Sequence, residues 1–141
     1  LIARYGTPKE IYAPNPSVKK VDKGGLFAYI RPLATIEPLA IVTGLPVNID
    51  WGMADTLDLA NHIASLHEGT LVVAWEHHYA EKLAKQLLTN LGGETAAVPP
   101  WDNADFDALY VIKVSNTKEG RKVTFFRDRE GLDGLSEICP K

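Results

Sequence analysis

A chain of 141 residues with 45% apolar and 23% charged side chains matches a single globular domain able to bury a sizeable core, and two independent domains are not expected. Eleven Gly and nine Pro are close to average usage, which removes collagen-like, low-complexity and disordered classes, and no apolar run nears the roughly 18 residues of a membrane span. Fifteen basic against eighteen acidic residues give a formal charge of −3 and argue against an electrostatic grip on nucleic acid or an anionic membrane.

The chain starts at Leu1 and its single Met is Met53. Leu1 to Gly6 reads as the end of a helix with Gly6 as its cap and Pro8 as the stop just beyond, so a piece of a longer protein is expected. Glu10 to Ala13 is a short extended stretch closed by Pro14-Asn15-Pro16, where proline and its predecessor disfavour helix. A polar loop is expected from Ser17 to Gly25, then a strand or buried approach at Leu26 to Ile30. Pro32 suits a first helical turn, and Leu33, Ile36, Leu39 and Ala40 repeat at helical spacing up to Gly44. Pro38 inside that run predicts a kink or an early end.

Pro46 to Ile49 reads as a second short strand. Leu57, Leu59, Ala60, Ile63, Ala64 and Leu66 form a helical stripe after Asp55, with Glu68-Gly69 as its exit. Thr70 to Trp75 is continuously apolar, the pattern of a strand buried on both faces. His78 to Leu91 carries Leu83, Ala84, Leu87, Leu88 and Leu91 on one stripe and ends at Gly92-Gly93. Ala108 to Val114 and Lys122 to Arg127 read as a hairpin near a sheet edge. Strands alternating with helices predict βαβ units and a mainly parallel sheet flanked by helices, an α/β three-layer sandwich spanning residues 1–141.

Lone Cys139, beside Pro140, cannot form an internal disulfide and reads as incidental. No signal peptide is visible, and a cytoplasmic setting is expected. No H-E-x-x-H or inverted H-x-x-E-H pattern is present around Glu76, His77, His78 and Glu81. His62 and His67 fall on different helix faces, so neither a metal nor another cofactor is expected. Phosphate loops of the GxxxxGK[ST] or GxGxxG type are likewise lacking.

In open α/β sheets, ligands bind beyond the carboxyl ends of the strands, near helix N-termini. Two segments take that position. One runs from the strand Thr70 to Trp75 through Glu76-His77-His78 into a helix, placing His77 and His78 where an anion such as phosphate could be held. The other is Tyr29-Ile30-Arg31-Pro32, with Arg31 at a helix start. The simpler roles are hydrogen bonds within the turn for the histidines and a surface ion pair for Arg31.

Taken together, these segments resemble the histidine phosphatase superfamily. Leu71-Val72-Val73-Ala74-Trp75-Glu76-His77 is similar to the strand that leads to the family's second histidine. Arg31-Pro32-Leu33-Ala34-Thr35 keeps the arginine and threonine of its upstream motif, and Tyr12-Ala13-Pro14-Asn15-Pro16 resembles its Ser-Pro turn, with Ser17 to Tyr29 as an insertion. Pro100-Trp101 and Asp105 to Val111 resemble the loop and last core strand of bacterial members.

The resemblance implies a phosphate pocket in which Arg31 and His77 contact the phosphoryl oxygens, His78 adjoins them, and Asp50 or Asp55, with Glu76 as a local alternative, stands where the family has its acid. The family's Arg-His-Gly, whose histidine accepts the phosphoryl group, has no counterpart. Leu1-Ile2-Ala3-Arg4-Tyr5-Gly6 lies too close to the Pro14 turn to be it.

The expected fold is therefore histidine-phosphatase-like with its first central strand missing. That gap predicts either pairing of the two strands beside it or a homo-oligomer that protects the exposed edges. Two functions stay open: a catalytically inactive chain retaining a phosphate or phosphomonoester pocket, or a fragment of an active phosphomonoesterase that works through a phosphohistidine.

Overall fold

The computed structural model describes residues 1–136 and 138, so Cys139 and its incidental reading lie outside the described residues. A short helix α1 (Ile2–Tyr5) ends at Gly6, whose φ of 80° is the left-handed geometry that glycine adopts most readily. Strand β1 (Glu10–Tyr12) follows, then strands β2 (Lys19–Asp22) and β3 (Gly25–Ala28), helix α2 (Arg31–Thr43), strand β4 (Val47–Asn48), helix α3 (Thr56–Ser65), strand β5 (Leu71–Val73) and helix α4 (His77–Leu91). After a 3-10 turn at Thr95–Ala97 come the long strands β6 (Ala108–Thr117) and β7 (Gly120–Arg129). Among the described residues, no helix is long and apolar enough to cross a membrane.

The architecture is mixed α/β: a small parallel sheet of order β4-β1-β5 flanked by helices, and two antiparallel hairpins, β2-β3 and β6-β7. Period-2 alternation assigns the sheet's faces. Ile11 and Ala13 point to one side, where Ile36, Leu33 and Leu39 of α2 meet Val47, Val72 and Ala74. Tyr12 points to the other, against Leu59 and Ala60 of α3 and Leu83 of α4, with Leu71, Val73 and Trp75 alongside. The helices fall on opposite faces for a topological reason. The β1-to-β4 connection runs one way across the sheet and the β4-to-β5 connection runs back, so crossovers of one hand must cover both sides.

Several expectations are corrected. The segment Ser17 to Gly25 is not simply a loop, because it contains β2. Lys23 and Gly24, at φ of 46° and 77°, form a two-residue turn with both central residues at positive φ, the geometry that suits the twist of a hairpin. Its strands pair from Lys19↔Ala28 to Asp22↔Gly25. Leu26 and Phe27 are exposed rather than buried, since the hairpin joins neither of the other sheets.

Pro38 does not end α2 early. The helix runs on to Thr43, whose hydroxyl donates back to the Leu39 carbonyl at 2.8 Å, and stops at left-handed Gly44. Helix α3 ends at Ser65, short of the Glu68-Gly69 exit.

The remaining corrections concern sheet edges. Strand β5 is half-buried along its length rather than buried on both faces, because β1 is its only strand partner among the described residues. Direct pairing of β5 with β6, one of the two expected ways of closing the gap, does not occur, as β6 pairs with β7 through ten register positions. The sheet is thus parallel over three strands, and the other four form hairpins.

The β6-β7 hairpin instead packs Tyr110, Ile112, Val123 and Phe125 onto Ala84 and Leu88 of α4. Helix α1 ties the start of β5 to the end of β7. The Tyr5 carbonyl accepts from the Thr70 hydroxyl at 3.0 Å, and Arg4 pairs with Asp128 at 2.8 Å.

Leu59, fully buried, tests the α3 side of this core. Leu59→Ala is expected to destabilise by about 2–5 kcal/mol, lowering the urea midpoint. Leu57→Ala, at the exposed neighbouring position, should stay within about 0.5 kcal/mol. Equal midpoints for the two variants would refute this assignment of the helix face.

Candidate functional site

Strands β1 and β5 are neighbours, yet the helices that follow them, α2 and α4, pack on opposite faces of the sheet. The two outgoing segments therefore part at the carboxyl end of the sheet, and open α/β sheets bind ligands in the crevice outside such a switch point. Four elements deliver polar side chains there. Hairpin β2-β3 brings Lys20, the short link from β3 to α2 supplies Tyr29, α2 opens with Arg31, and the start of α4 carries its cap Glu76 and its first residues His77 and His78.

Glu76 organises the group. It is 3% exposed and caps α4, its carboxylate accepting from the Tyr79 N–H at 3.1 Å. Its other oxygen accepts from the Lys20 ammonium, also at 3.1 Å, and lies 3.3 Å from His77 Nδ1. Burial pushes the Glu76 carboxyl up, but the Tyr79 amide, the Lys20 ammonium and His77 together outweigh it and hold the group below its ordinary value. Glu76 is thus held as a carboxylate. A leaving-group acid needs the opposite shift, so the sequence alternative of Glu76 as that acid is not favoured.

Tyr29 links the two arms of the site. Lys20 lies over its ring at 4.9 Å from the centroid and Arg31 at 5.4 Å, both within cation–π range. Burial raises the Tyr29 hydroxyl, with Arg31 opposing the shift. Arg31 itself is exposed and lies 3.7 Å from Asp22 across the hairpin, the surface ion pair that was its simpler reading. His77 is half-buried with its Nε2 enclosed and without a hydrogen-bond partner, while exposed His78 stacks on it with ring centroids 4.1 Å apart. One ligand atom from each of Glu76, His77 and His78 falls within 4.8 Å of the others, so these three are the residues that could hold a metal ion.

The other sequence candidates lie elsewhere. Asp50 is exposed and lines a separate hollow with Lys9, Glu10 and Asn48. Asp55 is exposed and its carboxylate accepts from the Gly52 N–H at 2.9 Å, closing the turn before α3. Among the described residues, no hydrogen bond or ion pair joins either aspartate to Arg31, Glu76 or His77.

The structure also shows groups that sequence reasoning missed. Lys20 falls in the stretch expected as a polar loop and insertion, and Tyr29, although it opens the second candidate segment, carries no expected role there. A second aromatic group joins Tyr12, Trp51 and His62. Trp51 and His62 have ring centroids 4.8 Å apart, and His62 Nε2 lies 3.2 Å from the Tyr12 hydroxyl, which donates to Glu10.

Comparison with family models, curated proteins and solved structures finds no match.

Because Glu76 is held below its ordinary value of 4.5, its contribution to stability is present above that pH and is lost as pH falls through the folded-state value. Glu76→Gln is therefore expected to lower the melting temperature at neutral pH. The gap from wild type should shrink as pH drops below 4.5, as measured by circular dichroism melts. A gap unchanged down to about pH 3 would show that the carboxylate's charge contributes nothing.

Proposed function

We propose that this chain is a phosphate- or phosphomonoester-binding module of histidine-phosphatase-like design that does not itself transfer the phosphoryl group. The observation that carries the reading is that Lys20, Arg31 and His77, from three separate elements, are linked through two residues: Lys20 and His77 both meet the Glu76 carboxylate, and Lys20 and Arg31 both lie over the Tyr29 ring. A phosphoryl group presents several anionic oxygens and is held by cationic and N–H donors arranged around it. Arg31 supplies a planar fork, Lys20 a point charge and His77 a ring nitrogen.

Glu76 and Asp22 balance these cations when no ligand is present, so phosphate enters by exchanging places with an internal carboxylate. Such a site binds by displacement, and its affinity is set by how readily Lys20 and His77 release Glu76. Transfer is absent from the proposal because the sequence holds no Arg-His-Gly to accept the phosphoryl group.

The outer edges of β5 and β4, which pair with no further strand among the described residues, add a second part to the reading, a homo-oligomer in which copies cover each other's strands. Light scattering on the intact chain is expected to give a concentration-dependent mass approaching twice the 15.5 kDa of one copy. A strictly monomeric chain at all concentrations would remove this part.

The binding reading is tested by calorimetric titration with inorganic phosphate in the presence of a chelator, alongside a p-nitrophenyl phosphate assay. Arg31→Ala and His77→Ala are each expected to weaken phosphate binding by about tenfold, with no turnover by any form. Turnover that both substitutions abolish would instead make the chain a working part of a phosphomonoesterase. Failure of the wild-type chain to bind phosphate would reject the pocket.

A further inference from the structure

The start of α4 places a buried carboxylate and two imidazoles in consecutive positions, and we infer that Glu76, His77 and His78 form a binding site for a divalent transition-metal ion of the zinc class. This inference stands apart from the phosphate reading, which needs no metal.

The donor set is what such an ion selects. Imidazole nitrogen and carboxylate oxygen both bind zinc at about 2.0–2.2 Å, and three protein ligands with a fourth position open is the arrangement of accessible rather than structural sites. Two ligands of one tetrahedral zinc lie about 3.3 Å apart. Glu76 Oε1 and His77 Nδ1 already stand at 3.3 Å. All three residues offer ligand atoms within 4.8 Å of one another, and His78, being exposed, is free to rotate its ring through the remaining distance.

One further observation points to a cation. The Glu76 side chain is buried and already holds one, the Lys20 ammonium at 3.1 Å. The positive end of α4 opposes a cation here, and the Glu76 carboxylate is the group that offsets it. Glu81, which follows His78 by one helical turn, is already engaged by Lys85 and by the Trp101 N–H, so it is not counted among the ligands.

Metal and Lys20 compete for the same carboxylate oxygen, which gives the proposal a sign that a merely structural cluster lacks. Removing the ammonium should strengthen metal binding while weakening phosphate binding.

The intact chain, stripped with chelator and exchanged into chelator-free buffer, is titrated with Zn2+ by calorimetry and with Co2+ by visible absorption. One ion per chain is expected, with a tetrahedral cobalt spectrum. Affinity should fall at least about tenfold in His77→Ala and in His78→Ala, rise in Lys20→Met and stay unchanged in His67→Ala, an exposed control outside the cluster. His78→Ala alters an exposed side chain, and a melting curve matching that of wild type is the check that it folds.

The proposal is overturned if wild type takes up no saturable single ion, if the histidine variants bind as wild type does, or if Lys20→Met fails to bind more tightly. Phosphate binding retained in chelator alongside any of these results would leave the phosphate reading intact. Metal uptake without phosphate binding would do the reverse.

Discussion

Strand β1 carries a constraint out of proportion to its three residues. It is the middle strand of the parallel sheet, so its backbone must satisfy neighbours on both edges. Its side chains must also fill two separate cores, Ile11 toward α2 and Tyr12 toward α3 and α4. Both are fully buried. A register slip of one residue would exchange these faces, putting Tyr12 where Ile11 fits and leaving its hydroxyl away from Glu10 and His62. Pro14, also fully buried, ends the strand and turns the chain out toward the hairpin. The path that delivers Lys20 to the crevice therefore begins with the packing of β1.

Glu76 plays the corresponding part in the crevice. One carboxylate caps a helix, pairs with a lysine from a distant hairpin and faces a histidine. A buried charge is tolerable only when partnered in this way. The local consequence is that the N-terminus of α4, a natural receptor for an external anion, carries an internal one. Both proposed ligands act on that fact from opposite sides, phosphate by replacing the carboxylate and a metal by replacing the lysine that holds it.

Much of the framework is legible in the sequence because each helix has one face against the sheet. The stripes Leu33–Ile36–Leu39 and Leu83–Ala84–Leu87–Leu88 identify α2 and α4, and Gly44 and Gly92 mark their ends at φ of 69° and 80°. What could not be read is where burial does not decide. The β2 run Lys19-Lys20-Val21-Asp22 lacks clean alternation because its hairpin lies outside the other sheets and buries neither face.

The apolar run at β5 reflects apolar packing on both faces, with Leu71 and Val73 on one side and Val72 and Ala74 on the other, although the strand is only half-buried. It carries no information on the lateral edge, which is set by backbone pairing. Candidate residues divide in the same way. Arg31, His77 and His78 lie on elements whose ends sequence signals locate, whereas Lys20 and Tyr29 reach the crevice only through tertiary placement, and Asp50 and Asp55 fall outside it.

The attachment of the β2-β3 hairpin has an energetic corollary. Its links to the rest of the chain include the Lys20–Glu76 pair and the stacking of Lys20 and Arg31 on Tyr29, while Val21, Leu26 and Phe27 remain exposed. Attraction between exposed ions fades beyond about 8 Å at physiological ionic strength, whereas apolar burial is strengthened by excluded salts such as sulfate. Added sulfate thus tightens the sheet and its helices and weakens the exposed Arg31–Asp22 pair, while the Lys20–Glu76 tether, whose carboxylate is buried, is screened far less and keeps the hairpin attached.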